Sequence, residues 1–300
     1  MAQVPDVRHR RRRVPEAQPF QSSGRLGEKE AGRGRAWNAR AASSWPVGLV
    51  KHLGILATTP DGAALCFRAF CQDGFAELGP HEHPDVTLDC IALGRSLPAW
   101  RAGDYATVRA TLSVSMRRLA AAGADFFACP DNTAHLALEQ PGPSLPLPGL
   151  HIAEVVAGQA ARAGRQRVGV LGTSHTMTGP VYPQALAARH IATEIPGEHD
   201  RAILDEIIVG ELVNGVFTDK ARRECTRIIE RLAARGCDAV ALACTEIPLL
   251  LPANAGPLPA LDSTRLLARA AFDVAAGRRA LPTWRGGPRP PEDDGGNRGP

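Results

Sequence analysis

His52-Leu-Gly-Ile-Leu-Ala-Thr-Thr59 is answered later in the chain by Arg167-Val-Gly-Val-Leu-Gly-Thr-Ser174. Each stretch runs through apolar residues with glycine in third place and closes on two hydroxyl residues. A second pair keeps the same order: Arg118-Leu-Ala-Ala-Ala-Gly-Ala-Asp125 and Arg231-Leu-Ala-Ala-Arg-Gly-Cys-Asp238, identical at six of eight positions. The two pairs are offset by 115 and 113 residues. Two matches in one order at nearly one spacing point to an internal duplication.

Working outward, the apolar runs His52–Ala57, Phe126–Cys129, Arg167–Leu171 and Ala239–Ala243 read as buried strands. Between them lie helical stretches at Tyr105–Ala122, Ile152–Ala163 and Ala221–Ala234. Strands alternating with helices predict parallel sheet covered by helices on both faces. The expected architecture is α/β in two similar halves, the first over 50–150 plus 262–277 and the second over 151–261.

The chain has 300 residues and a net charge of +4, but the charge is uneven. Residues 1–49 carry +6 and residues 278–300 carry +2, which leaves −4 for the body. An acidic body argues against a nucleic-acid groove. Residues 1–49, with the run Arg10–Arg13 and no apolar periodicity, read as a disordered basic extension, and 278–300 as a disordered Gly/Pro-rich tail. No apolar run is long enough to span a membrane and no secretory h-region opens the chain. The seven cysteines show no close pairing pattern, so a reducing cytoplasm is expected.

Past the second repeat each half runs helix, Gly, Asp, strand, then a polar cluster. The first cluster is Pro130-Asp131-Asn132-Thr133-Ala134-His135 and the second Ala243-Cys244-Thr245-Glu246-Ile247-Pro248. At the repeat offset Asp131 falls opposite Cys244, Asn132 opposite Thr245, and Thr133 opposite Glu246. Ligands of parallel sheets bind beyond the carboxyl ends of strands. Two facing halves would therefore set proton-transfer groups on opposite sides of one cleft. Cys244 reads as acid/base because it sits among polar residues, not in a packed run. Asp131 reads two ways, as a helix N-cap or as the opposing acid/base group. Thr58, Thr59, Thr173 and Ser174 end the first strand of each half, where hydroxyls and backbone N–H groups suit a carboxylate. Cys129 should face packing.

Other chemistries find little support. His81 and His83 form a loop pair without companions at ligand spacing, and no Cys-x-x-Cys occurs. Gly169-Val-Leu-Gly172 lacks the third glycine of a dinucleotide fingerprint. The only lysines are Lys29, Lys51 and Lys220, none in a convincing pocket for a pyridoxal Schiff base. No cofactor and no metal are expected.

Four segments carry a family likeness: Gly54-Ile-Leu; residues 130–135; Gly-Thr-Ser-His-Thr-Met at 172–177 followed by Tyr182; and residues 243–248. In order and spacing they resemble the aspartate/glutamate/hydantoin racemase superfamily, closest to its aspartate racemase branch, over roughly 50–277. The resemblance implies two Rossmann-like halves related by a pseudo-twofold, a site in the cleft between them, and no cofactor. It also implies a homodimer, as relatives commonly are. The family mechanism uses two cysteines, one on each face of the substrate Cα. Here Asp131 stands in place of the first, while Asn132 and Thr133 match and Cys244 supplies the second.

The function expected is therefore a cofactor-independent racemase for an aspartate- or glutamate-like amino acid. Cys244 and Asp131 would transfer protons, and Asn132, Thr133, Thr173, Ser174 and Thr245 would hold the carboxylate, with Thr58 at the rim. Glu246 would orient Cys244 or meet the amine, and Arg95 is a candidate clamp for a distal carboxylate. Two alternatives stand beside it: a one-cysteine decarboxylase or other carbanion lyase, and a non-catalytic binder of small carboxylates.

Overall fold

A computed structural model of the protein describes residues 50–251 and 256–288. The first half runs β1 (Leu53–Ala57), α1 (Pro60–Leu78), β2 (Val86–Cys90), α2 (Leu97–Arg101), α3 (Tyr105–Ala121), β3 (Phe126–Ala128), α4 (His135–Leu138) and β4 (Gly149–Leu150). The second runs α5 (Ile152–Arg162), β5 (Arg167–Gly172), α6 (Ser174–Thr178), α7 (Val181–Ala187), β6 (Ala192–Glu194), α8 (Glu198–Glu206), α9 (Asp219–Ala234), β7 (Ala239–Ala243), α10 (Ile247–Leu250), β8 (Ala260–Asp262) and α11 (Ser263–Ala275).

The strands form two four-stranded sheets, ordered β2-β1-β3-β4 and β6-β5-β7-β8, with every pairing parallel. The duplication reaches down to single residues. Leu53 pairs with Phe126, and adding the two repeat offsets lands on Val168 and Ala239, which pair in the second sheet. The aspartate closing each repeat fastens the first strand to the third. Asp125 accepts the backbone N–H of His52 at 2.8 Å, and Asp238 accepts that of Arg167 at 3.3 Å. The repeated glycines have a steric cause. A Cβ on Gly54 would stand 3.2 Å from Leu119, and one on Gly169 would stand 2.9 Å from Leu232. Helices α3 and α9 thus press a leucine onto the strand at equivalent points, where only a bare Cα leaves room.

Local signals set the helix ends. Asp104 caps α3, Thr218 caps α9 and Asp262 caps α11, each accepting the N–H three residues on at 3.0 Å. Strands β1, β3 and β7 are buried throughout, which explains their unbroken apolar runs. Helix α5 lies between the halves. Its Ile152 and Val155 pack with β1 and α11, and its Ala153, Val156, Ala157 and Ala160 pack with β5 and β7.

One expectation is overturned. Residues 278–288 were expected within a tail, yet 281–288 run back across the first half as an ordered strap. The Trp284 carbonyl accepts from Gly149, the Arg285 carbonyl from Leu145, and the Leu138 carbonyl from Gly287, at 2.8–2.9 Å. The Trp284 ring lies flat on His135, 5.9 Å between centroids and 11° between planes. A tryptophan brings more apolar surface than the surrounding Gly, Pro and Arg composition suggests, and that surface anchors the strap. The basic extension 1–49 and the remaining tail, 289–300, lie outside the described residues. Among the described residues no helix is long and apolar enough to cross a membrane.

Candidate active site

The carboxyl ends of β1, β3, β5 and β7 carry the residues singled out above. Asp131 follows β3, and its carboxylate is held on both oxygens. Thr58, just past β1, donates its hydroxyl to Oδ2, and the backbone N–H of Ala134 donates to Oδ1 at 3.1 Å. The Ala134 bond closes the turn ahead of α4, whose own N-cap is Ala134 without a side-chain cap, so Asp131 braces that turn and still presents its second oxygen to Thr58.

On the other side Cys244 follows β7. Its thiol donates to Glu246 Oε2 at 3.1 Å, and the Thr245 hydroxyl donates to the same oxygen at 2.8 Å. Glu246 Oε1 accepts the Thr59 hydroxyl at 3.1 Å, across 187 residues of sequence. Thr58 and Thr59 are neighbours, so one dipeptide touches the Asp131 carboxylate with one hydroxyl and the Cys244–Glu246 pair with the other.

A second cross-link joins the halves through three hydroxyls. Thr133 lies 3.0 Å from Thr173 and 2.8 Å from Thr176, and these two lie 3.1 Å apart. Thr173 also accepts the Thr176 backbone N–H at 3.2 Å as the cap of α6. Thr58 is 8% exposed, Cys244 6% and Glu246 4%, whereas Thr59, Asp131, Thr133 and Thr173 are partly exposed.

Burial shapes the proton affinities. It pushes the Asp131 carboxyl above its ordinary value against the hydrogen bonds from Thr58 and Ala134, and the charge of Glu246 adds to the rise. Burial also pushes the Cys244 thiol well above its ordinary value, again reinforced by Glu246. Both groups favour their protonated forms more than they would in water. A carboxyl raised in this way is a better base, and a thiol raised in this way stays protonated as the acid partner, though a weaker acid than in water.

Not every expected residue joins the cluster. Asn132 is 2% exposed, and its amide is committed elsewhere. It accepts the Tyr182 hydroxyl at 2.6 Å and donates to Ser263 at 3.1 Å, and Ser263 donates to the Leu242 carbonyl at 2.8 Å. Asn132 thus stitches the Asp131 loop to α7 and α11. Ser174 is tied to α8, its backbone N–H donating to Asp205 at 2.8 Å. Arg95 is exposed in a short turn after β2. Cys129 is buried in apolar packing beneath the loop, as its strand position predicts. Among the described residues no group of three or more His, Cys, Asp or Glu is placed to hold a metal.

Sequence reasoning passed over Thr176 and the wall at Gly62. The spacing Thr173-x-x-Thr176 is a capping pattern that could have flagged the first. Gly62, in the first turn of α1, carried no such signal. A Cβ there would stand 2.5 Å from Thr245.

Comparison with known proteins agrees with this geometry. Residues 71–271 match the family model for Asp/Glu/hydantoin racemases. The broad-specificity amino-acid racemase RacX of Bacillus subtilis is 26% identical over 200 residues, covering 67% of this chain and 86% of its own. A crystal structure from Yersinia pestis assigned to the Asp/Glu racemases superposes with a TM-score of 0.65 at 30% identity, covering 75% of this chain and 99% of that one. The aspartate racemase of Picrophilus torridus superposes with a TM-score of 0.63 at 25% identity, covering 76% and 94%. Two four-stranded parallel sheets, strand-end polar clusters at equivalent positions and a match over most of the chain converge: the protein is an isomerase belonging to the Asp/Glu/hydantoin racemase family.

Proposed function

We propose that the protein is a cofactor-independent racemase of an aspartate- or glutamate-like amino acid, with Asp131 and Cys244 working on opposite faces of Cα. The observation that carries this reading is the chain of contacts from Asp131 through Thr58 and Thr59 to Glu246 and Cys244. It gathers acid/base groups from equivalent strand ends of both halves into one cluster. In one direction Asp131 accepts the Cα proton as carboxylate while the Cys244 thiol protonates the opposite face. The reverse direction starts from protonated Asp131 and a Cys244 thiolate. Glu246 receives the thiol hydrogen bond and sets the direction of S–H. The substrate carboxylate is assigned to the hydroxyls of Thr133, Thr173 and Thr176, whose donors suit the negative charge developing as Cα–H is lost. An acidic side chain is favoured by likeness to the Picrophilus torridus aspartate racemase.

Incubation in heavy water with each enantiomer of aspartate and glutamate tests the reading. Deuterium should enter Cα and both enantiomers should appear from either one. Asp131→Asn should abolish interconversion from both starting enantiomers. Consumption of a disubstituted malonate without Cα exchange would replace the racemase by a lyase. Thermal stabilisation by the amino acids without turnover would replace it by a binding protein.

A further inference from the structure

Behind the Asp131 loop sits a histidine that this chemistry does not use. His135 is fully buried, and its Nδ1 lies 2.8 Å from the backbone oxygen of Asp131. Its Nε2 accepts the backbone N–H of Ile152, the first residue of α5, at 3.3 Å. A carbonyl oxygen can only accept and an amide N–H can only donate. The ring therefore carries its proton on Nδ1 and a lone pair on Nε2. In that form it ties the carbonyl of Asp131 to the helix that lies between the two halves.

The ring is itself held on two sides. Trp284 lies flat against it, and His151 meets it edge-on at 4.6 Å and 70°. Trp284 is fixed by the strap, its carbonyl bonded to Gly149 and its indole N–H to the Gly287 carbonyl at 3.2 Å. The Asp131 loop is thus held from behind by an aromatic stack of which one member comes from the C-terminal segment. The backbone turn bonds of this loop are local, Asn132 to His135 and Thr133 to Leu136, while the side chains of Asn132 and Thr133 reach Tyr182, Ser263, Thr173 and Thr176. Local turn bonds shape a loop without setting its distance from the opposite half. To those side-chain ties the His135 bridge to α5 adds a long-range bond on the backbone of Asp131 itself.

We infer that His135 is a positioning residue for Asp131, setting through its Nδ1–H the distance at which the carboxyl meets the opposite half, with Trp284 as the surface that fixes the ring. This rests on the reading of Asp131 as an acid/base group. It does not require His135 to touch substrate.

The two ring nitrogens can be replaced one at a time. Asparagine places an amide N–H where Nδ1 stands and keeps the bond to Asp131, whereas glutamine reaches the Nε2 position and keeps only the bond from Ile152. His135→Asn should retain kcat within about threefold. His135→Gln should lose about 10- to 100-fold in kcat, the scale of a misplaced reacting group, with KM little changed. Carbon-13 NMR of aspartate-labelled protein gives a readout independent of turnover. The Asp131 signal, identified by its absence in Asp131→Asn, should titrate near wild type in His135→Asn. In His135→Gln it should move towards the ordinary carboxylate value as the loop loosens into solvent. If His135→Gln does not fold, Trp284→Leu frees the ring without removing its bonds and should show the same kcat loss at constant KM. Asn and Gln variants that behave alike in both kcat and titration, or a Trp284→Leu enzyme with wild-type kcat, would overturn the inference. Racemisation that survives Asp131→Asn would instead remove the reading beneath it, and the NMR comparison would still report whether His135 sets the loop.

Discussion

Gly62→Ala is a one-methyl perturbation aimed at the thiol from the opposite half. Gly62 lies in the first turn of α1 and faces Thr245, the residue between Cys244 and Glu246. An alanine Cβ would stand 2.5 Å from both the Cβ and Oγ1 of Thr245 and 2.9 Å from its Cγ2. Carbon contacts settle near 3.5 Å, so one side has to retreat by about 1 Å. Thr245 has no rotamer that relieves the clash, because its Cβ is itself one of the atoms met. It is also 5% exposed and bonded to Glu246. The loop holding Cys244 and Glu246 must therefore shift as a unit, or α1 must tilt and carry Thr58 and Thr59 with it. A displacement of ~1 Å in a reacting group costs about 100-fold in rate. Overpacking should cost about 1–3 kcal/mol, offset by roughly 0.5–1 kcal/mol because alanine suits a helix better than glycine. The expected variant is folded, slightly less stable, and about 100-fold lower in kcat/KM for the amino acid that exchanges in heavy water. Gly94→Ala is the control, since a Cβ there meets nothing within 4 Å. A Gly62→Ala enzyme within threefold of wild type, at unchanged melting temperature, would mean that the contact between α1 and the Cys244 loop does not set the thiol.

Two further outcomes follow from charge and from the repeat. Because burial raises the Asp131 pKa in the folded state, the stability tied to its neutral form is complete at low pH and is lost as pH rises through the raised value. Asp131→Asn is neutral throughout, and Thr58 can turn its hydroxyl to suit the amide. Its melting temperature relative to wild type should therefore climb as pH rises above the ordinary carboxylate range, and a gap that stayed flat or narrowed would contradict the burial argument. The steric reading of the repeat predicts that Gly169→Ala, facing Leu232 at 2.9 Å, destabilises more than Gly54→Ala, facing Leu119 at 3.2 Å. Both should fall within about 1–3 kcal/mol in denaturant titrations, and the reverse ranking would count against it.

Much of this was legible in the sequence because the duplication repeats physical constraints as well as letters. The glycine three residues into each strand stretch, the leucine of the following helix and the aspartate that fastens the strand start all recur for reasons visible in the fold. The candidate cluster was legible to the same extent. Asp131 and Cys244 were paired by the offset alone, and Thr58, Thr133, Thr173, Thr245 and Glu246 join them in the cluster. What stayed hidden depends on partners remote in sequence that no repeat announces. Asn132 looked like a substrate ligand because it sits in the motif, yet its amide is satisfied by Tyr182 and Ser263. The strap looked like a tail because composition averages over residues, and one tryptophan among glycines and arginines is enough to anchor it.

Duplication alone would give two like groups, one on each side. At any moment one face needs a base and the other an acid, so two groups of identical proton affinity would have to be split by their surroundings. Here the split is built into the residues. Both polar clusters follow equivalent strands, but the first ends in a carboxyl and the second in a thiol bonded to a carboxylate. Burial lifts both affinities while leaving the thiol the higher, which on the proposed reading keeps the proton on sulfur and makes the carboxyl the base. Glu246 reinforces this ordering, since its charge opposes a thiolate beside it. The same ordering makes formation of the Cys244 thiolate the uphill part of each proposed turnover. On the proposed reading, return to the starting state after each turnover carries a proton from Asp131 to Cys244, in the direction that preference favours. Glu246 is bonded to Cys244 and to Thr59, whose neighbour Thr58 holds Asp131, so it stands between the two groups that exchange that proton. Glu246→Gln keeps the shape of that side chain but removes its charge and its basicity. If the return step governs turnover, kcat should fall further than the rate of the first Cα exchange measured in a single turnover; equal losses in both would put the slow step at Cα itself.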